Sequence, residues 1–290
     1  MADVLSDNAT LAIARPARSG PDRLIWPALA FLTIFFVVPI VWFIARSAYT
    51  YPGNFALMLV KAFTSSLFVS VALRTVWISA VVTLLALVLA YPVAYTLVQT
   101  RALRFTLIII CVVIPYFTSI IVRTYSWMII LGNKGVVNNL LISCHLIDHP
   151  LKLMYNTTGV VIGMTYVLLP YFVLTLFSTM KGIDMRLLQA AHGMGASKTY
   201  AFGKIFLPLS MPGIVSGGLI VFILAMGFFI TPALMGGPED VTMAMLIQRN
   251  IEVTMDWAQA CALSLFLLVI TLVIYAVYCR YTDLDRMLGK

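Results

Sequence analysis

Charge is what this sequence has least of. Asp and Glu number 11 and Lys and Arg 19 in 290 residues. Charged side chains make up 10% of the chain, where a soluble domain carries about a quarter. No acid falls inside any of the long apolar runs. Proton- and sodium-coupled carriers place ionisable residues or broken helix ends near the membrane midplane, so this argues against a self-sufficient secondary transporter. A membrane hydrolase is equally disfavoured, because no Ser/His/Asp or His/Glu arrangement sits at a suitable depth. Cysteine is scarce as well. Cys111 and Cys261 lie inside apolar runs, Cys279 ends one and Cys144 lies in a connection, which forms neither a disulfide framework nor a zinc knuckle.

What fills the chain is apolar: 62% of the residues are hydrophobic, and the mean hydropathy is +1.00. Six runs are long enough to cross a bilayer as helices bonded within themselves: 25–44, 75–98, 105–122, 159–178, 213–230 and 258–278. The run from Ile25 to Ile44 follows Arg15, Arg18 and Arg23 but exceeds a signal-peptide core and lacks a small-x-small cleavage site, so it reads as an uncleaved first span. An even number of spans puts both termini on one side. Twelve Lys and Arg fall on the N-terminal side and seven on the other, which predicts N-in and C-in by the positive-inside rule. The net charge of +8 is spread singly at run ends, a topology signal that does not make a nucleic-acid surface. The expected fold class is therefore an all-α membrane protein, a six-helix transmembrane bundle, with residues 1–24 and 281–290 as cytoplasmic tails and 25–280 as the membrane domain.

Prolines at 39, 92, 115, 170 and 232 fall inside or at the ends of spans, where each invites a kink. Gly213, Gly217 and Gly218 in "GIVSGG" predict a close approach by another helix backbone. Tyr91 and Tyr95 read as interface anchors. Tyr166 and Tyr171 sit deeper, and with Tyr125 and Trp127 just outside the spans they are the candidate residues of a solute path, where rings attract an organic cation. Packing alone is the competing reading. "CHLIDH" (144–149) would put His145 and His149 on one face only if it were helical; a polar connection is the plainer account, and no metal is expected.

The exception to the apolar pattern is "LLQAAHGMGASKTYAFGKIFLP", residues 187–208, between spans four and five. "GMGASKT" superficially matches a phosphate-binding loop, but the two required glycine positions hold His192 and Ser197, so this chain is not expected to bind nucleotide or any other cofactor. Locally, Asp184 can cap a short helix that Gly193 or Gly195 ends. Ser197 can cap a second, expected to stop near Leu207–Pro208 because proline disfavours helix at the residue before it. Small Ala190 and Ala191 would let the first seat in another protein's groove, while Phe202, Ile205 and Phe206 would hold the second against the bundle.

These residues resemble the cytoplasmic E-A-A-x-x-x-G-x9-I-x-L-P loop of ABC importer permeases, matched by Ala190, Ala191, Gly195, Ile205, Leu207 and Pro208, with Gln189 in the place of the usual glutamate. "RTYSWMIILGN" (123–133), "PLKLMYN" (150–156) and "LPLSMPGI" (207–214) are similar to the spermidine/putrescine-type branch. The resemblance implies a coupling loop over 181–208 and a permease of the bacterial cytoplasmic (inner) membrane. Its implied partners are two cytoplasmic ABC ATPases that bind the ATP and Mg, a second permease and a periplasmic solute-binding protein, with no nucleic acid. It also implies a polyamine solute, although the end of span five lacks the glutamates such permeases often carry, and 4-aminobutyrate, opines and related small amines or acids remain alternatives. The reading from another class is a stand-alone channel or carrier in which residues 187–208 lie on the membrane surface.

Overall fold

The computed structural model describes residues 21–50 and 54–281; of the predicted tails 1–24 and 281–290, residues 1–20 and 282–290 lie outside them, while 21–24 begin the first helix and 281 ends the last. The chain divides into two units, Met1–Thr50 and Tyr51–Lys290.

In the first unit, α1 (Pro21–Leu32), a π turn (Thr33–Val37) and α2 (Val38–Thr50) run on as one helix. Its 25 residues Ile25–Tyr49 are apolar enough to cross a membrane, at about 37 Å in length. The π turn directly precedes Pro39: Val38 N–H bonds the Thr33 carbonyl five residues back. A proline ring clashes with the carbonyl four residues before it, and the widened turn sits where that clash would fall.

The second unit is all helix and connection among its described residues: α3 (Asn54–Thr64), α4 (Ser66–Gln99), α5 (Ala102–Phe117), α6 (Ile120–Leu131), α7 (Val136–Ser143), α8 (Thr157–Lys181), α9 (Arg186–Gly193), α10 (Lys198–Ala201), α11 (Leu207–Met226), α12 (Ile230–Met235), α13 (Met243–Glu252) and α14 (Trp257–Tyr281). α8 is the core of the bundle. Asn156 starts it, its Oδ1 accepting from Gly159 N–H at 2.9 Å, and α4, α5, α6, α11 and α12 pack around it. Ala86, Ala90 and Ala94 on α4 are fully buried in one cluster with Leu168, Phe172, Leu176 and Val221. Four-residue spacing of small side chains puts a flat stripe on one face of the helix, and dispersion at close range is what holds helices together in lipid. The opposite face of α4 exposes Leu73, Trp77, Leu84 and Val88, apolar surface of the kind lipid covers. α3 and α13 pack beside α14 in a second cluster, with the Phe63 and Phe266 rings 4.6 Å apart.

The expected glycine contact is present. A Cβ on Gly213 would lie 2.7 Å from Thr179 Cβ, and one on Gly217 would lie 3.0 Å from the Phe172 ring, so the α11 backbone packs directly on α8 side chains.

Two expected elements differ. The third apolar run is broken: α5 ends at Phe117, α6 starts at Ile120, and the two segments are bent by 106°. Thr118 ends α5 by giving both its N–H (3.2 Å) and its hydroxyl (2.7 Å) to the Pro115 carbonyl. Hydropathy is apolar on both sides, so the run looks continuous in sequence. The fifth span ends at Met226, short of Ile230, and after Gly227–Phe229 the chain restarts as α12, with Pro232 tolerated in its first turn. Among the described residues five helices are long and apolar enough to cross a membrane, six if the bent pair counts as one span.

Candidate functional site

The semi-polar stretch forms a compact end to the bundle. Asp184 caps α9, its Oδ1 accepting from Arg186 N–H at 2.9 Å. At the other end Gly195 takes φ +89°; its N–H bonds the His192 carbonyl (3.0 Å), and Ala196 N–H bonds the Ala191 carbonyl (3.0 Å). That pair of bonds is a Schellman cap, which needs the left-handed residue glycine supplies. Ser197 then caps the next helix, its Oγ accepting from Tyr200 N–H at 3.3 Å.

The expected stop at Leu207–Pro208 does not occur. α10 widens into a π turn at Phe202–Phe206, where Leu207 N–H reaches the Phe202 carbonyl, and the chain continues into α11 with Pro208 in its first turn. Lys198 to Met226 is one helix of 29 residues, about 43 Å long. The second helix of the loop is therefore the tip of a span, and this is the same device seen before Pro39.

The span tip is held by rings. Tyr95 packs edge-on against Phe202 (5.3 Å) and Phe206 (5.0 Å), and Tyr91 lies 6.0 Å from Phe202. Ser210 gives its proton to the Leu207 carbonyl (2.8 Å), so Tyr91 donates the 3.0 Å bond between its hydroxyl and Ser210 Oγ. Tyr91 and Tyr95, read from sequence as interface anchors, are thus internal contacts between α4 and the loop. Phe202, Ile205 and Phe206 pack inward as expected, with Phe206 fully buried.

α9 turns Leu188 and Ala191 inward, and Leu188 joins the cluster that holds Leu97, Met180 and Phe206. Of the two alanines expected to keep α9 slim enough for a partner's groove, Ala190 is exposed and Ala191 is buried, because the helical period puts Ala191 three residues from Leu188 on the inner face. Gln189, Ala190 and Gly195 are exposed. Beside them Met194 is 84% and Tyr200 59% exposed, apolar surface on a polar end. Leu207 and Pro208 are exposed on the outer side of the span tip and Ile205 is half-buried.

The aromatic residues assigned to a path do not form one group. Trp127 and Tyr166 stack edge-on at 5.3 Å, and Tyr171 meets Tyr116 at 5.3 Å. Tyr125 instead lines a cleft of about 550 Å³ with Met128, Asn133, Lys152 and Tyr155. Residues 144–149 form no helix, and His145 has φ +55°, so the one-face geometry for His145 and His149 is not made.

Other polar contacts had no signal in the sequence. Buried Asn138 gives its amide protons to the Gly132 (3.1 Å) and Leu151 (3.0 Å) carbonyls and accepts from Leu151 N–H (2.8 Å). Asp240, also buried, accepts from Gly237 N–H at 2.8 Å and from the Thr157 hydroxyl. Thr124 and Thr231 pair their hydroxyls at 3.1 Å, tying α6 to α12. The Asp240–Thr157 and Thr124–Thr231 bonds join residues 83 and 107 apart in the chain.

Comparison with known proteins agrees with this architecture. The family model for the binding-protein-dependent transport system inner membrane component matches residues 86–282, from the middle of α4 to the end of α14. The chain is 34% identical over 224 residues to the spermidine/putrescine transport system permease protein PotB of Escherichia coli (strain K12), covering 77% of this chain and 80% of that protein. It is 30% identical over 261 residues to PotB of Haemophilus influenzae, covering 88% and 91%. Among solved structures, that of a bacterial alginate ABC transporter in complex with an alginate pentasaccharide-bound periplasmic protein is similar in fold, with a TM-score of 0.71 at 18% identity over 93% of this chain and 94% of that one. With its apolar helices and its match across α8, the loop and α11, the chain belongs to the family of inner membrane components of binding-protein-dependent transport systems.

Proposed function

We propose that the chain is the permease subunit of an ATP-driven importer for a small amine of the polyamine class, and that α9 is the coupling helix gripped by a separate ATPase. In this reading both termini and the 182–206 connection face the cytoplasm. Two ATPase chains hold ATP and Mg there, a second permease completes the path, and a periplasmic protein delivers the solute. The observation that carries it is the motif from Gln189 to Pro208 in a member of this family, with Gln189, Ala190 and Met194 presented outward at one end of the bundle. PotB relatives named for spermidine and putrescine support the solute class.

The mechanics follow from the span tip. A push on α9 passes to Leu188, Ala191 and Phe206 and thence to a continuous helix, so the load reaches α11 as rigid-body motion, while the Tyr91–Tyr95–Phe202–Phe206 cluster carries α4 with it. ATPase closure does work only if it favours one bundle conformation over the other.

Gly195→Pro tests the coupling. Proline cannot adopt φ +89° and has no N–H for the His192 carbonyl, so in the reconstituted complex uptake should fall about tenfold or more, equivalent to 1.4 kcal/mol of lost coupling. ATP hydrolysis and membrane insertion should persist; unchanged uptake refutes the role. A solute bearing a carboxylate beside its amine, such as 4-aminobutyrate or an opine, is the second reading, favoured by spans that hold no acid to greet a polycation.

A further inference from the structure

Arg123 stands one turn into α6, just past the break that ends α5. Its Nε and Nη1 are buried and have no hydrogen-bond partner among the described residues. The guanidinium lies within electrostatic reach of Tyr171, near the middle of α8, whose ring meets that of Tyr116 at 5.3 Å. Next to it in the chain, Thr124 bonds Thr231 across to α12 at 3.1 Å. The helices that follow two breaks, α6 after 118–119 and α12 after 227–229, are therefore tied together one residue from this cation.

Neither feature persists in lipid without a reason. Arginine cannot shed its proton, and a shielded charge left unpaired is costly. Non-helical backbone at membrane depth is tolerated only where it is buried in protein or lines a cavity. The fork of N–H donors fits a planar pair of oxygens, so a carboxylate binds it at two points. Among the described residues no carboxylate bonds the buried Arg123 nitrogens, and Asp240 is committed to Gly237 and Thr157.

We propose that Arg123 receives a carboxylate from outside the chain beside the helix breaks that precede α6 and α12. The proposal rests on the permease reading, and the carboxylate has two sources, the solute itself or an acidic side chain of the second permease.

The test uses the whole importer in proteoliposomes, with 4-aminobutyrate and spermidine as probes and with Arg123→Gln and Arg123→Lys as variants. If the solute carries the group, Arg123→Gln lowers the ratio of 4-aminobutyrate to spermidine uptake about tenfold or more, a change of 1.4 kcal/mol, and Arg123→Lys restores part of it. If the second permease carries it, Arg123→Gln depresses uptake of either probe alike and loosens the permease pair on size-exclusion chromatography. In that case neutralising one Asp or Glu of the second permease recovers the Gln variant. The proposal is overturned if Arg123→Gln leaves both uptakes and the pairing unchanged, or if Gln and Lys variants lose thermal stability equally with no change in the uptake ratio and no acidic suppressor. A wild-type complex whose ATP hydrolysis ignores its binding protein would instead refute the permease reading itself.

Discussion

Replacing Gly213 by alanine adds one methyl group at the tightest point between α11 and α8. The new carbon would lie 2.7 Å from Thr179 Cβ, 2.8 Å from its Oγ1 and 3.1 Å from its Cγ2, while carbon atoms attract best at about 3.5–4.0 Å. Rotating Thr179 gives no relief, because the nearest atom is its Cβ and its hydroxyl is engaged with the Thr175 carbonyl at 3.2 Å. The helices must separate by roughly 1 Å, which costs on the order of 1–3 kcal/mol as overpacking. The apparent melting temperature of the detergent-solubilised protein, followed by the monodisperse fraction surviving heating, should fall by several degrees. Thr179→Ala keeps the offending Cβ and should rescue little. Thr179→Gly removes it and should recover most of the loss, less about 1 kcal/mol for glycine inside a helix. Equal stability of Gly213→Ala and wild type, or full rescue by Thr179→Ala, would show that the α11 backbone does not press on Thr179 Cβ there.

Asn138→Ala removes three hydrogen bonds and strands the Leu151 N–H, and should destabilise the protein by about 2–4 kcal/mol, seen as a lower melting temperature. Thr124→Val leaves the buried Thr231 hydroxyl without its cross-helix partner and should cost about 1–3 kcal/mol, whereas the double change to valine at 124 and 231 should cost less than the two single changes added together. Tyr91→Phe loses only the bond to Ser210 and should cost about 1 kcal/mol of stability; Phe206→Ala opens a cavity at the span tip and should cost about 3–5 kcal/mol, with uptake impaired more than ATP hydrolysis. Gln189→Glu should keep or improve uptake, since an ionised carboxylate makes the stronger hydrogen bond to a cationic partner; loss of ATPase association in pull-down would contradict the docking role.

Legibility in the sequence followed the range of the interaction. Asp184 and Ser197 were readable as caps, and Gly193 or Gly195 as the helix end that Gly195 makes, because each bond spans only two to five residues of chain. Gly213 and Gly217 marked the α11–α8 approach because only a missing side chain admits a backbone. The break at Thr118 was hidden: a threonine within an apolar run changes the direction of the chain without changing its hydropathy. The same holds at Pro208, where a single widened turn carries a helix past a residue that propensity alone treats as a stop.

The length and order of the apolar runs determined that this is a bundle of membrane helices with one polar joint, since an unbroken apolar run of about twenty residues satisfies its backbone in lipid as a helix bonded within itself. Only the tertiary structure decided that the joint is the tip of a continuous span clamped by Tyr91 and Tyr95, and that two nitrogens of Arg123 are buried without a partner next to the bond that ties α6 to α12. Those facts depend on which surfaces meet across more than a hundred residues of chain, and a side chain's partner at that distance is set by packing, which neither propensity nor hydropathy encodes.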